Sequence, residues 1–240
     1  ATGYQVSATL AVVLLAICIL MQSSVNTFND YYDYVKGTDS SEDDVDPTDA
    51  VLIYNNVNPR SALLFAIALL ISAFVLGGYV IYHAGLIPLA IGAVGAVFVV
   101  LYSAGKPPIS YLPLGEAVSG SVMGGLIPLA CYQVLTGVLT PLSMLWALPE
   151  ILGIGLIMFT NNTCDIEKDI VARRRTLSVL LKREKARTLY HAILWLWLIA
   201  IILIVGVFFT QGLIMIPFML LSTYPLLKVL RSNPLAPNTR

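Results

Sequence analysis

Charge is what this 240-residue sequence has least of: Asp, Glu, Lys and Arg make up 12% of it, against 58% hydrophobic residues. A water-soluble domain carries roughly twice that charge, so a soluble globular protein is excluded. Fourteen acidic residues balance fourteen Lys and Arg, and the net charge is zero. No basic surplus exists to recruit nucleic acid. Cysteine is also scarce. Cys18, Cys131 and Cys164 form no CxxC pair and no even set, which leaves no disulfide framework and no zinc site. The lone, distant His83 and His191 read as interfacial residues rather than metal ligands. Neither a Ser-His-Asp arrangement nor a phosphate-binding glycine loop nor a dinucleotide fingerprint occurs. No signal peptide is expected before the first apolar stretch, which is too long for a signal core. The start at Ala1 and the ragged ends suggest a piece of a longer protein.

What is present is apolar sequence in membrane-length runs. An all-α polytopic membrane protein is expected, with seven spans at about 5–29, 61–82, 86–103, 116–137, 142–163, 189–209 and 212–230. Pro88, Pro128, Pro149 and Pro217 fall inside or near the ends of these, where neighbouring helices can satisfy the freed backbone groups. The glycine-rich stretches 92–95 and 120–125 would allow close helix packing. If the spans alternate, every Lys and Arg falls on one side. Lys36 and Arg60 occupy the first loop, Lys106 the third and Lys168 to Arg187 the fifth, with Lys228, Arg231 and Arg240 at the end. Positively charged loops mark the cytoplasmic face. The acidic residues follow the same partition except Glu150, which reads either as an intramembrane functional acid or as a shallow, water-reached one.

Two oxygen-rich clusters lie on that face. Asn26, Asn29, Asp30 and Asp33 recur at intervals that share one face of a helix. Lys36 and Asp39 follow, past an expected helix stop at Gly37. The second cluster closes the fifth span in "TNNTCDIEKD". There Asn161, Asp165 and Asp169 are expected on one face of one helix, with Asn162 beside them. Carboxylates grouped in this way repel one another unless a cation joins them. Mg²⁺ is suited to such oxygens and bridges protein carboxylates to phosphate, so the two clusters could hold one or two Mg²⁺ around a diphosphate. Lys36, Lys106 in "YSAGKPP", and Arg173, Arg174 and Arg175 could meet the remaining phosphate charge. The acidic stretch 39–49 reads as a solvated loop, without the glycine of an EF-hand. The basic run 182–187 reads as a topology determinant on a solvated helix face. Tyr31, Tyr32 and Tyr34 fit interfacial anchors and substrate contacts equally.

The motifs "NDYYDYVKGTD" (29–39) and "NNTCDIEKD" (161–169) resemble those of the UbiA superfamily of intramembrane prenyltransferases. Three further stretches, "VKGTD", "YSAGKPPISYLPLGE" (102–116) and "RRTLSVLL" (174–181), are most similar to the 1,4-dihydroxy-2-naphthoate prenyltransferases of menaquinone synthesis, the MenA type. The resemblance runs through nearly the whole chain as a single domain, 1–240. It implies a transmembrane helical bundle around a central cavity, nine helices in the full family fold, of which the seven spans here would match the second to eighth. The implied setting is the prokaryotic cytoplasmic (inner) membrane, with the active site facing the cytoplasm.

The implied chemistry is Mg²⁺-dependent transfer of a polyprenyl group from a polyprenyl diphosphate to an aromatic acceptor, 1,4-dihydroxy-2-naphthoate, with loss of its carboxylate. The resemblance makes Asp30, Asp33, Asp165 and Asp169 the Mg²⁺ ligands, with Asn26, Asn29, Asn162 and Asp39 in support. Lys36, Lys106, Tyr102, Ser103, Arg174 and Arg175 are the candidate diphosphate contacts, and Tyr111 a candidate wall of the acceptor pocket or a packing residue. There are two departures. Many relatives continue the first motif with Gly-Pro-x-Arg, where this sequence has Asp46-Pro47-Thr48-Asp49, and relatives tend to have Gly where Arg173 sits. 4-Hydroxybenzoate or a related naphthoate remain alternative acceptors. A cation-coupled transporter would place its acids near the membrane midplane, and these lie at one end. The Asp-Gly and Ala-Arg spacing of CDP-alcohol phosphotransferases is absent, and a non-catalytic scaffold would not need intact metal motifs.

Overall fold

A computed structural model describes residues 7–37, 51–55, 57–237 and 239. These residues form helices and no strand: α1 (Ala8–Lys36), α2 (Val51–Tyr54), α3 (Pro59–Ala84), α4 (Ile87–Ala104), α5 (Gly115–Ser121), α6 (Ile127–Thr136), α7 (Leu142–Trp146), α8 (Leu148–Cys164), α9 (Ile166–Val171), α10 (Leu177–Phe208) and α11 (Ile216–Ser232). Tighter 3₁₀ turns cover Ile109–Tyr111 and Thr210–Met215, and a π-helical turn, Val122–Leu126, joins α5 to α6.

Six helices among the described residues are long and apolar enough to cross a membrane: Ala8–Lys36, Pro59–Ala84, Ile87–Ala104, Gly115–Thr136, Leu177–Phe208 and Thr210–Ser232. The chain is an integral membrane protein, and the expected count of seven spans is approximate. The stretch expected to cross at 142–163 is built as α7 and α8, with a break at Ala147. Pro149 sits in the first turn of α8, where its missing N–H costs nothing, and its ring prevents the helix from running on unbroken from before. The 17 residues of α8 stand at the short end of the crossing range. Val75, Tyr82, Leu86, Ile214 and Leu221 are largely exposed, as side chains facing lipid are.

The chain divides into two compact units. The first takes the described residues up to Ser110 together with Leu126–Pro141; the second takes Tyr111–Gly125 and the described residues from Leu142 onward. In the first unit α1 lies along α3, and small residues make the approach possible. Ala62, Ala66 and Ala73 are buried, and buried Ser24 donates its hydroxyl to the Ala66 carbonyl at 2.8 Å. Leu14, Val80 and Val134 bring α1, α3 and α6 into one apolar cluster. The expected stop at Gly37 is observed. This residue adopts a left-handed conformation (φ 67°) and its N–H caps the carbonyls of Asp33 and Tyr34, a geometry glycine takes without strain.

In the second unit Leu156, Phe159 and Cys164 of α8 pack against Ala186, Tyr190 and Leu194 of α10 and against Leu235. Buried Thr163 and Ser178 share a hydroxyl hydrogen bond at 2.8 Å. The glycine-rich stretch 120–125 does what its composition suggested. Cβ atoms placed on Gly120 and Gly124 would fall 2.5 Å from the Ile151 backbone oxygen and nitrogen, so α5 and the π turn lie backbone to backbone on α8. The other stretch does not: a Cβ on Gly92 would meet nothing within 4 Å, and one on Gly95 only the end of Met21.

The basic run 182–187 holds more than a solvated face. Lys182 takes a non-helical conformation (φ 63°, ψ 159°) that kinks α10, and Arg183 beside it clamps three segments. Its Nε donates to the Leu235 carbonyl at 2.8 Å, Nη2 to the carbonyls of Thr163 and Cys164 at 3.3 and 3.4 Å, and the fork meets both Glu167 oxygens at 2.6 and 2.8 Å. Arg183→Ala is expected to lower stability by about 1–3 kcal/mol, because carbonyls lose their donor. Arg183→Lys is expected to recover little of it, since a single ammonium cannot reproduce the fork. Thermal unfolding in detergent measures both. The Arg183 guanidinium also holds the Glu167 carboxyl below its usual range. That contribution is complete above the ordinary glutamate range and fades as pH falls through the lowered value. It is small, because Glu167 is largely exposed.

Candidate functional site

In the first unit, Asn26, Asn29, Asp30 and Asp33 all lie on the C-terminal part of α1, as their spacing predicted. Asn26 is exposed and the other three are half-buried. Asn29 donates its amide to Asp33 Oδ2 at 3.1 Å and accepts the Ser103 hydroxyl at 3.3 Å. Lys36 Nζ donates to the Ser103 carbonyl at 2.6 Å and lies 5.2 Å from the centre of the Tyr32 ring. Four residues singled out from distant parts of the sequence, Asn29, Asp33, Lys36 and Ser103, therefore form one polar network on α1 and α4. Asn26 accepts from Gln22 at 2.9 Å. Tyr102 is half-buried beside Ser103, and Lys106 is exposed just past the end of α4. Asp39 and the stretch Asp46 to Asp49 lie outside the described residues.

In the second unit, the second cluster is not carried by one unbroken helix. α8 ends at Cys164, Asp165 has φ −96° and ψ 16°, and α9 begins at Ile166. Asn and Asp favour caps and turns over helix interiors, and "NNTCD" concentrates them. The hydrogen-bond register nonetheless carries through. Asp165 N–H donates to the Asn161 carbonyl at 3.0 Å and Asp169 N–H to the Asp165 carbonyl at 2.8 Å, so the i, i+4 backbone spacing of these three residues continues across the break.

Asp169 is 2% exposed. Its Oδ2 accepts the Thr176 hydroxyl at 3.1 Å, and Arg174 Nη1 lies 3.6 Å from its Oδ1. Arg174 also stacks over Tyr111, 4.8 Å from the ring centre, and the Arg175 N–H donates to the Tyr111 carbonyl at 2.8 Å. Tyr111, Asp169, Arg174 and Arg175 are thus brought together, with Tyr111 serving as the platform under a guanidinium. Thr176, which no sequence argument singled out, joins Asp169 to the start of α10 by capping Val179 N–H at 3.4 Å.

Arg173 has φ 56°, a left-handed conformation that strains a side-chain-bearing residue. The glycine expected at this position in similar proteins has a physical reason here. Arg173→Gly is expected to raise stability by about 1 kcal/mol. Thermal unfolding in detergent, beside Arg175→Gly as a control, measures it.

Glu116 closes the stretch 102–116 and was given no role by the sequence reading, yet the fold bonds it to a candidate site residue. It is 7% exposed in the first turn of α5, and its Oε1 accepts from Asn162 Nδ2 at 2.8 Å. Its Oε2 is buried with no hydrogen-bond partner among the described residues. The available signal was an acid opening an apolar span.

The donor set suits a hard cation. Its atoms are carboxylate and amide oxygens, with the unpartnered Glu116 Oε2 beside Asn162 rather than among them, and Mg²⁺ prefers oxygen ligands. Among the described residues no three His, Cys, Asp or Glu side chains gather into a ready cage.

Residues 1–237 match the UbiA prenyltransferase family. The chain is 30% identical over 202 residues to the 1,4-dihydroxy-2-naphthoate octaprenyltransferase of Bacillus subtilis (strain 168), covering 83% of this chain and 64% of that one. It is 28% identical over 205 residues to UbiA prenyltransferase domain-containing protein 1 of Danio rerio, covering 81% and 59%. The chain therefore spans about three fifths of the length of these relatives. Its fold matches the solved structure of a UbiA homolog from Archaeoglobus fulgidus bound to DMAPP and Mg2+, with a TM-score of 0.67 at 15% identity, over 94% of this chain and 79% of that one.

Proposed function

Because this chain belongs to the UbiA prenyltransferase family, we propose that it is a Mg²⁺-dependent prenyltransferase that moves a polyprenyl group from its diphosphate to 1,4-dihydroxy-2-naphthoate. The observation that carries the reading is that each unit holds an aspartate–asparagine oxygen set with a cation beside it: Lys36 on the Ser103 carbonyl, whose hydroxyl bonds Asn29, and Arg174 against Asp169. The likeness to the Bacillus subtilis octaprenyltransferase selects the acceptor. The proposed setting is the cytoplasmic membrane, with both oxygen sets on the cytoplasmic side. The charge partition supports this, and it requires the α7–α8 stretch to cross.

Asp30 and Asp33, with Asn26 and Asn29 in support, are proposed to take Mg²⁺ in the first unit, and Asp165 and Asp169, with Asn162, in the second. Mg²⁺ supplies positive charge against the diphosphate as it leaves. Lys36, Lys106, Tyr102 and Ser103 are proposed as contacts to diphosphate oxygens. So are Arg174 and Arg175, the former held beside Asp169 and on the Tyr111 ring so that its planar fork is oriented before substrate arrives. The allylic C–O bond breaks with its electron pair leaving on diphosphate. The electron-rich ring carbon bonds to the allylic carbon, and the ring loses its carboxylate as CO₂. The apolar helices exclude water that would otherwise capture the allylic centre.

The test supplies the protein in lipid vesicles with Mg²⁺, a polyprenyl diphosphate and 1,4-dihydroxy-2-naphthoate, and detects the prenylated, decarboxylated product by mass spectrometry. Transfer only to 4-hydroxybenzoate or another naphthoate would overturn the acceptor and keep the chemistry. Uptake of a cation with no diphosphate released would overturn both in favour of a transporter.

A further inference from the structure

We propose that Glu116 is a positioning residue for the second oxygen set, acting through Asn162; this rests on the Mg²⁺–diphosphate reading above. A carboxamide can present either its nitrogen or its oxygen, and only the oxygen can ligate a cation. Glu116 Oε1 settles which. A carboxylate oxygen accepts, so Asn162 turns its Nδ2 toward it, at 2.8 Å, and Oδ1 is the end left over for the metal. Without Glu116 the amide is free to rotate and offer the wrong end.

The second oxygen of the same carboxylate extends the argument. Glu116 is 7% exposed, and its Oε2 is buried without a hydrogen-bond partner among the described residues. A buried acceptor left in that state is a cost to the fold. Mg²⁺ holds on to several of its waters, and their protons are the donors such an oxygen needs. Glu116 thus fixes an amide with one oxygen and takes a water of the hydrated ion with the other, without itself ligating. Outer groups of this kind commonly set metal affinity by about 10–100-fold.

The backbone around Glu116 has little room to rearrange. Four residues on, a Cβ at Gly120 would lie 2.5 Å from the Ile151 carbonyl oxygen. α5 is therefore seated directly against α8, the helix that carries Asn162. The hydrogen bond spans two elements whose separation is already fixed by packing.

The experiment measures equilibrium binding of radiolabelled geranyl S-thiolodiphosphate, which is not turned over, as Mg²⁺ is titrated. The full chain is used in detergent, and thermal unfolding is followed in parallel. Glu116→Leu is expected to raise the Mg²⁺ midpoint about tenfold or more, and Asn162→Ala comparably. The double variant should fall clearly short of the product of the two single effects, because both remove the Glu116–Asn162 hydrogen bond. Glu116→Gln keeps one carbonyl acceptor for Asn162 but can also present an N–H to it and has no second acceptor for a water proton, so it is expected to recover only part of the loss. A folded Glu116→Leu with an unchanged midpoint overturns the proposal, as does a fully additive double variant. If Glu116→Leu fails to fold, Asn162→Ala decides: an unchanged midpoint there leaves nothing for Glu116 to position. Should the wild-type chain itself show no Mg²⁺-dependent binding, the functional reading fails, and the inference fails with it.

Discussion

Replacing Asp33 by asparagine is expected to lower prenyl transfer by about 10²–10³-fold while the protein stays folded. The substitution keeps the shape of the side chain and removes one negative charge from a half-buried position on α1. Asp33 Oδ2 accepts from Asn29 at 3.1 Å, and Asn29 in turn accepts from Ser103. An amide at residue 33 can turn its own oxygen toward Asn29 and preserve that network, so the loss reads the missing charge rather than a collapsed helix end. Product formation by mass spectrometry gives the rate, and unfolding temperature reports the fold. An Asp33→Asn protein with near wild-type rate would remove α1 from the chemistry and leave its acids as interface markers.

The largest expected structural effect is at Gly124. A methyl group there would sit 2.5 Å from the Ile151 nitrogen, 2.6 Å from the Glu150 carbonyl carbon and 2.6 Å from Ile151 Cα. All three are backbone atoms of α8, so no side chain can swing aside. The helices must separate, and Gly124→Ala is expected to cost about 1–3 kcal/mol or more by overpacking. Gly77→Ala provides the contrast. Nothing lies within 4 Å of a Cβ there, and inside a helix the change favours the folded state by about 0.5–1 kcal/mol. Unfolding temperatures of the two variants in the same detergent should move in opposite directions. Equal behaviour would mean that the π turn and α8 are not held in backbone contact.

Much of this could be read from the sequence, for identifiable reasons. α1 and its end at Gly37 were legible because a 29-residue apolar helix followed by Lys-Gly is a local signal. The face shared by Asn26, Asn29, Asp30 and Asp33 follows from helical spacing alone. The seam at Ala147 was marked by Pro149 and could have been read from it. The turn at Asp165 was not separable from the cap-forming residues around it. Glu116 and Arg183 were out of reach for another reason. Their roles depend on what is brought to them, Asn162 from 46 residues away and the Leu235 carbonyl from 52, and no spacing rule encodes a tertiary partner. Tyr111 and Arg174 were each singled out, but only the fold shows one stacked on the other.

α1 runs without a break from Ala8 to the Gly37 cap. At 1.5 Å per residue its 29 residues measure about 43 Å, while the hydrocarbon of a bilayer is about 30 Å thick. Asn29, Asp30 and Asp33 therefore ride on the overhanging end of a rod whose other end is gripped by lipid. A rod answers a thicker or thinner bilayer by tilting or sinking, and there is no slack segment between the gripped part and the carboxylates to absorb the movement. Lipid chain length thereby becomes a control on how deep the first oxygen set stands. Turnover should pass through an optimum as the acyl chains of the host vesicle are lengthened.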